Sequence, residues 1–236
     1  MNIIFIADAH LKGPDDPNQK TLARFLDGLK GVDTLVILGD LFDFWTGYNK
    51  FLYEKYQLVL DAMKSLRGRG TRIIYLEGNH DFTMGTFFVD TLGAGVYQDT
   101  HTLRVGETNI LLAHGDMVDM TTGYRLWRGF IRSPLFRLIL KIAPPWFVWR
   151  VAMHLSGKSR NYSVKGKFID RRLRRFARER ISSGADVVIL GHSHVAGVHE
   201  EEVNGKKGVY ANPGSWLDGS YLVYNDGEFR VERYNG

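Results

Sequence analysis

Five short apolar runs recur along the chain: NIIFIA (2–7), TLVILG (34–39), TRIIYLEG (71–78), TNILLAHG (108–115) and DVVILGHS (186–193). Each is rich in β-branched residues and is bounded by glycine or a polar residue. Runs of this kind read as strands buried on both faces. Helical patterns at about 18–30 and 50–67 lie between them. Towards the end, strand-like pieces near 196–203, 207–211, 219–224 and 228–233 are separated by NGKKG and NDG, which are hairpin turn signals. These patterns predict an α/β fold whose sheets mix parallel and antiparallel strands. The reading is of a single domain over 1–236, interrupted by a helical insertion at about 117–182.

The residues just after each run carry the chemistry. In open α/β sheets, ligands bind at the carboxyl ends of strands. Asp8 and His10 come after the first run, Asp40 after the second, Asn79 and His80 after the third, His114 after the fourth, and His192 and His194 after the fifth. A single histidine after a strand is usually structural, and Asp40 or Asn79 alone would serve as a helix cap. Five strand ends that all close on such groups need another explanation. Glycines in the turns allow the chain to leave each strand tightly. Asp8, His10, Asp40, Asn79, His114, His192 and His194 form an oxygen and nitrogen set that suits Mn, Fe or Zn rather than Ca. The chain has no cysteine, which excludes disulfides, thiolate metal sites and cysteine nucleophiles. Seven ligands are too many for one such ion. They suit two ions sharing a bridging carboxylate, a recurring device for phosphate ester hydrolysis. His80 then remains as an acid for the leaving group or as a clamp on developing charge.

Charge is distributed unevenly. Residues 125–180 hold 16 Lys and Arg against 2 Asp and Glu, whereas the whole chain is +5. A basic segment on an acidic body points to an anionic partner. The same region is aromatic and apolar, and Pro134 and the pair Pro144-Pro145 divide it into short helices. In a helix from about 164, Ile169, Leu173, Phe176 and Ile181 share a face, and Arg171, Arg172, Arg174, Arg175 and Arg178 take the others. Phe136, Leu138, Ile139, Leu140, Trp146, Phe147 and Trp149 read as a small helical core or as a surface that dips into a membrane interface, where Arg132, Arg137, Lys141 and Arg150 would meet lipid phosphates. The N-terminus reaches Asp8 after one short apolar run and does not read as a signal peptide.

Asp8-x-His10, Gly39-Asp40 with Asp43, Gly78-Asn79-His80-Asp81, His114 before glycine, and the GHSH of His192 and His194 together resemble the calcineurin-like metallophosphoesterases. The motifs stand in order and span nearly the whole chain. The resemblance implies two packed mixed sheets flanked by helices. It implies that Asp8, His10, Asp40 and His194 hold one ion, and that Asp40, Asn79, His114 and His192 hold the other. Catalysis would rest on His80, Asp40 and Asn79.

A narrower resemblance is carried by DAHL, GDLFDFW, the Tyr–Arg–Trp segment after HGD, GHSHVAGVHE and the basic aromatic stretch before it. It is to the UDP-2,3-diacylglucosamine diphosphatases of lipid A synthesis. It implies two divalent ions, Mn by that resemblance, and a UDP-linked diacylated glucosamine substrate cleaved to UMP and 2,3-diacylglucosamine 1-phosphate. It also implies cytoplasmic residence with peripheral attachment to an anionic inner-membrane surface. Tyr124, Ser159, Arg160, Lys165 and Lys167 would lie close to lipid phosphate and sugar, and Phe136, Leu138, Ile139, Leu140, Trp146, Phe147 and Trp149 would line an acyl-chain chamber. His80 departs from this group, whose proteobacterial members carry Arg there. The alternative is another nucleotide diphosphate or a nucleic-acid phosphodiester, with the basic helix tracking a phosphate backbone. Nucleic acid is the less favoured partner, because 134–149 is more apolar than such a groove needs. No protein partner can be inferred.

Overall fold

The apolar runs become strands whose carboxyl ends meet at one edge of a two-sheet sandwich. The computed structural model describes residues 1–46, 50–156 and 162–236. Among these the strands are β1 (Asn2–Ile6), β2 (Thr34–Ile37), β3 (Arg72–Leu76), β4 (Gly95–Tyr97), β5 (Thr100–Val105), β6 (Thr108–Ala113), β7 (Val187–Leu190), β8 (Gly197–Val203), β9 (Lys206–Asn212), β10 (Ser220–Asn225) and β11 (Glu228–Arg233). The helices are α1 (Pro17–Gly28), α2 (Lys50–Lys55), α3 (Gln57–Gly68), α4 (Thr122–Ile131), α5 (Pro134–Ile142), α6 (Pro145–Ser156) and α7 (Tyr162–Ser182).

One sheet has the order β11-β10-β1-β2-β3-β4 and the other β5-β6-β7-β9-β8. Both are mixed. β1 to β4 run parallel, as do β6, β7 and β9; three antiparallel hairpins and the antiparallel pairing of β1 with β10 complete the rest. The period of two along each strand sorts the side chains. Ile3, Phe5, Val36 and Ile74 meet Ile110, Leu112, Val187 and Ile189 between the sheets. Ile4, Ile6, Leu35, Ile37 and Tyr75 face α1 and α3 on the outside of the first sheet.

Three features differ from the sequence reading. β4 and β5 lie in a stretch that gives no strand signal, being short or rich in polar residues. The helical pattern over 50–67 breaks at Tyr56 into α2 and α3. The expected insertion also divides. α4 to α6 pass over the strand ends, whereas the second half of α7 is a layer of the sandwich: Leu173, Ala177 and Ile181 are fully buried against Val188, Leu190 and Tyr210. Two arginines of that helix, Arg174 and Arg178, close on the buried Glu201 of β8 and are not turned to an outside partner.

The short helices start where the sequence caps them. The Thr121 hydroxyl accepts from the Tyr124 amide and the Ser133 hydroxyl from the Phe136 amide, with Pro134 next at the first helical position.

The packing of α7 sets a stability test. Leu173→Ala should cost about 2–5 kcal/mol in urea unfolding, the usual range for a buried leucine. Phe168→Ala, on the exposed side of the same helix, should cost about 0.5 kcal/mol or less. Equal costs would show that α7 is not part of the core.

Candidate metal centre

Five of the residues that close the strands do so in left-handed backbone. Asp8, His10, Asp40, His192 and His194 have φ of 53°, 44°, 51°, 66° and 59°. Non-glycine residues avoid this region, at a cost of roughly 1–3 kcal/mol each. Sequence spacing gives no sign of it. Of the glycines beside them, Gly39 and Gly115 make the expected tight turns, and Gly78 and Gly191 serve another purpose. Gly39 has the positive φ of a tight turn, but Gly78 and Gly191 do not. A Cβ on Gly78 would strike the Asp40 carboxylate, and one on Gly191 would stand 3.1 Å from Leu38 O and 3.2 Å from Asp8 Oδ2. They are glycine because ligand side chains occupy the space.

The fold gathers the expected set. Ligand atoms of Asp8, His10 and His194 lie within 4.8 Å of one another, as do those of Asp40, His114 and His192. His10 and Asp40 link the two groups: His10 Nε2 is 3.9 Å from both Asp8 Oδ1 and Asp40 Oδ2. Asn79 Oδ1 is 3.2 Å from His114 Nε2, which is 3.5 Å from Asp40 Oδ2. Asp8 Oδ1 is buried and stands 3.3 Å from His194 Nε2. Oxygen and nitrogen donors, buried and crowded to this degree, fit divalent cations.

Neighbours fix which atom each ligand presents. His114 Nδ1 donates to the Leu38 carbonyl at 2.7 Å, leaving Nε2 for the centre. His10 Nδ1 faces Asp43 Oδ1 at 3.5 Å, the carboxylate–histidine pairing that orients metal-binding imidazoles. The Asp40 carboxylate accepts the Asn79 and His80 amides on Oδ1, both at 2.9 Å, and turns Oδ2 inward. The sequence places Asp43 in a motif without giving it a role; the structure supplies one.

Electrostatics pull the two ends of the cluster apart. Burial alone would raise Asp40, but the imidazoles of His114, His80 and His10 together outweigh it and hold the carboxyl well below its ordinary range. Burial would lower His114, and the carboxylates of Asp40, Asp8 and Asp116 together reverse this and raise it well above 6.5. Burial and then the His114 charge push His192 down to about 4.

The other predicted residues fall in different places. His80 Nδ1 donates to the Asp43 carbonyl at 3.2 Å, and the ring meets His10 edge-on at 5.0 Å. A ring nitrogen of His80 also stands within 4.8 Å of ligand atoms of His10 and Asp40. Tyr124 donates its hydroxyl to the buried Asp116 at 2.7 Å, and Arg128 Nε reaches the same oxygen at 3.1 Å, stapling α4 to the end of β6. Lys167 is exposed on α7, whereas Ser159, Arg160 and the side chain of Lys165 lie outside the described residues. Arg132 does not face outward as expected. It sits 3.5 Å from the buried Glu77 and donates to the Gly78 carbonyl at 3.4 Å.

A groove of about 630 Å³ opens beside Asp43, Asn79, His80 and Tyr124. Its far wall comes from α5 and α6, through Phe136, Ile139, Leu140, Phe147, Val148 and Val151. Trp149, expected in such a chamber or in a membrane interface, packs on Phe51 and Gly13.

The sequence profile of the calcineurin-like phosphoesterase family matches residues 1–196. The UDP-2,3-diacylglucosamine hydrolase of Aeromonas salmonicida (strain A449) is 29% identical over 245 residues, covering 99% of this chain and 93% of that protein. The protein of the same name from Ectopseudomonas mendocina (strain ymp) is 29% identical over 230 residues, covering 96% and 95%. Among solved structures, Vacuolar Protein Sorting 29 from Cryptosporidium parvum aligns over 99% of this chain and 96% of its own, at 16% identity and a TM-score of 0.47.

Asp40 touches both ligand groups, so its loss should be felt by both. Asp40→Ala should lose activity and all tightly held metal, read by elemental analysis after gel filtration. Retention of either ion at parental stoichiometry would show that Asp40 does not bridge.

Proposed function

The chain belongs to the calcineurin-like phosphoesterase family, and from that premise we propose that it hydrolyses the diphosphate of a UDP-linked diacylated glucosamine. The products are UMP and 2,3-diacylglucosamine 1-phosphate. The chain is a metallophosphoesterase, and the fold brings together residues fitted to divalent cations. One observation carries the finer reading. The metal-facing residues open directly into a groove whose opposite wall is apolar. A phosphate ester bearing acyl chains needs both halves at once, and a soluble nucleotide needs only the first. The relatives named UDP-2,3-diacylglucosamine hydrolase align along nearly the full chain and support the same substrate.

In this reading Asp8, His10, Asp40 and His194 hold one ion, and Asp40, Asn79, His114 and His192 hold the second, with Mn as the metal. The bound ions supply Lewis-acid polarisation of the phosphoryl group and activation of the attacking water. The protein's own groups do the rest. Asp43 holds the His10 ring and Leu38 O the His114 ring, so neither reorganises during turnover. A carbonyl can only accept, so His80 Nδ1 donates to Asp43 O and the other ring nitrogen is left for the groove. With a proton on that nitrogen as well, the imidazolium would protonate the leaving phosphate oxygen or steady its charge.

The outer face of α4 to α6 suits an anionic membrane surface as the source of substrate. Leu126, Leu135, Leu138, Ile142 and Trp146 are more than half exposed there. Arg125, Arg137, Lys141 and Arg150 are exposed among them, and residues 120–169 contain no Asp or Glu. Among the described residues no helix is long and apolar enough to cross a membrane. Shallow seating of short helices in the interface fits that surface.

The reaction is tested by incubating the Mn-loaded protein with UDP-2,3-diacylglucosamine and, separately, with single-stranded nucleic acid. UMP release from the first alone supports the proposal, and cleavage of the second alone would replace it with a nuclease.

His80→Ala should lower turnover by roughly 10²–10⁴-fold, the scale of a lost acid–base group, with metal content unchanged. Loss of metal in that variant would make His80 a ligand.

A second test addresses the groove. Excising the insertion would also remove the buried Ile131, so point changes are cleaner. Ile139→Glu with Phe147→Glu places charge on the apolar wall at half-exposed positions. At about 0.8 kcal/mol per methylene, losing two to three methylene contacts should cut the preference for lipid over a small phosphodiester by about 10–50-fold. An unchanged preference would remove the acyl chain from the groove.

A further inference from the structure

His192 and His194 flank Ser193, and both are in left-handed backbone. Two such residues in a three-residue turn persist only if the surroundings over-determine them. His192 is pinned by its own amide, which donates to Asp8 Oδ2 at 2.9 Å. The Ser193 amide donates to the Gly191 carbonyl at 2.8 Å. The buried Ser193 hydroxyl is the hub of what remains. It donates to Asp170 Oδ1 on α7 at 3.3 Å and accepts from Asn212 Nδ2, at the end of β9, at 3.0 Å. Asn212 Nδ2 also donates to the Gly191 carbonyl at 3.0 Å, so one amide group spans the turn.

α7 reaches this turn because Gly166 lets it. A Cβ at 166 would stand 2.8 Å from the Ser193 carbonyl oxygen. Gly166 and Asp170 are four apart and share a helix face. Asp170 is itself held, since Tyr210 donates its hydroxyl to the same Oδ1 at 2.8 Å. Burial and then the Asp170 charge push the phenol's pKa up, so it stays a donor. None of Gly166, Asp170, Tyr210 and Asn212 belongs to either ligand group.

We infer that Gly166, Asp170 and Asn212 are positioning residues, which hold Ser193 so that His192 and His194 each enter a separate metal-binding group. α7 is then a strut that sets the geometry of the last ligand turn from outside the centre. This rests on the metal centre above and not on the identity of the substrate.

The test uses the full chain, stripped with chelator and titrated with Mn²⁺ alone, with free Mn²⁺ followed by electron paramagnetic resonance. Melting temperature and the kcat and KM for bis(p-nitrophenyl) phosphate are measured alongside. Asp170→Ala should weaken Mn²⁺ binding by about 10–100-fold, the scale of a lost group behind a ligand, and lower kcat more than KM. Asp170→Asn keeps an oxygen that accepts from both hydroxyls and should recover most of the loss. Gly166→Ala should weaken Mn²⁺ binding although alanine favours the helix, a divergence that a purely structural role does not produce. Parental Mn²⁺ affinity in Asp170→Ala or Gly166→Ala would overturn the inference, as would an Asp170→Asn as weak as Asp170→Ala. If Asp170→Ala does not fold, Gly166→Ala and Asp170→Asn decide by the same criteria. Failure of the parent chain itself to bind Mn²⁺ would refute the metal centre instead, so the two failures are read separately.

Discussion

The Asp81 carboxylate is the knot on which the site depends. It is fully buried and accepts hydrogen bonds from the amides of Asp40, Leu41 and Gly78 at 2.9, 2.6 and 2.9 Å, and from the Tyr75 hydroxyl. These donors come from the ends of β2 and β3, so one side chain fixes the distance between two strand ends. Asp40 returns the arrangement by accepting the Asn79 and His80 amides. Buried amides left without an acceptor cost roughly 1–3 kcal/mol each. The interlock therefore holds only when both carboxylates are in place, and through it Asp40, Asn79 and His80 share one frame.

Much of this centre could be read in the sequence for a physical reason. A parallel strand covered on both faces must be apolar throughout, so the first polar residue after it stands out, and it stands where parallel sheets place their ligands. Asp8, His10, Asp40, His114 and His192 were legible in that way. β4 and β5 were not. GVY is too short to give a pattern, and THTLRV buries little beyond Leu103 on an edge strand. Asp81 was legible as part of a motif but not as its fulcrum, because its donors come from two strands.

Orientation was the harder part. Spacing picked out the apolar stripe of α7 but not the sheet beneath it. The same ambiguity misplaced Arg132 and Trp149. A cation in a basic, apolar segment points wherever its partner lies, and Glu77 is distant in sequence and buried. Two of the glycines are ambiguous for a related reason. Sequence offers conformational freedom as the obvious use of glycine, whereas Gly78 and Gly191 are needed for the volume they leave empty.

The left-handed turns bear on more than geometry. At roughly 1–3 kcal/mol each, five of them hold as much free energy as the net stability of a typical domain, about 5–15 kcal/mol. A binder that prefers the folded chain returns some of it by mass action. Glycine at positions 8, 10, 40, 192 and 194 would relax the backbone and at the same time remove the ligands. Stabilising substitutions are therefore expected in the sandwich beneath and not at these strand ends.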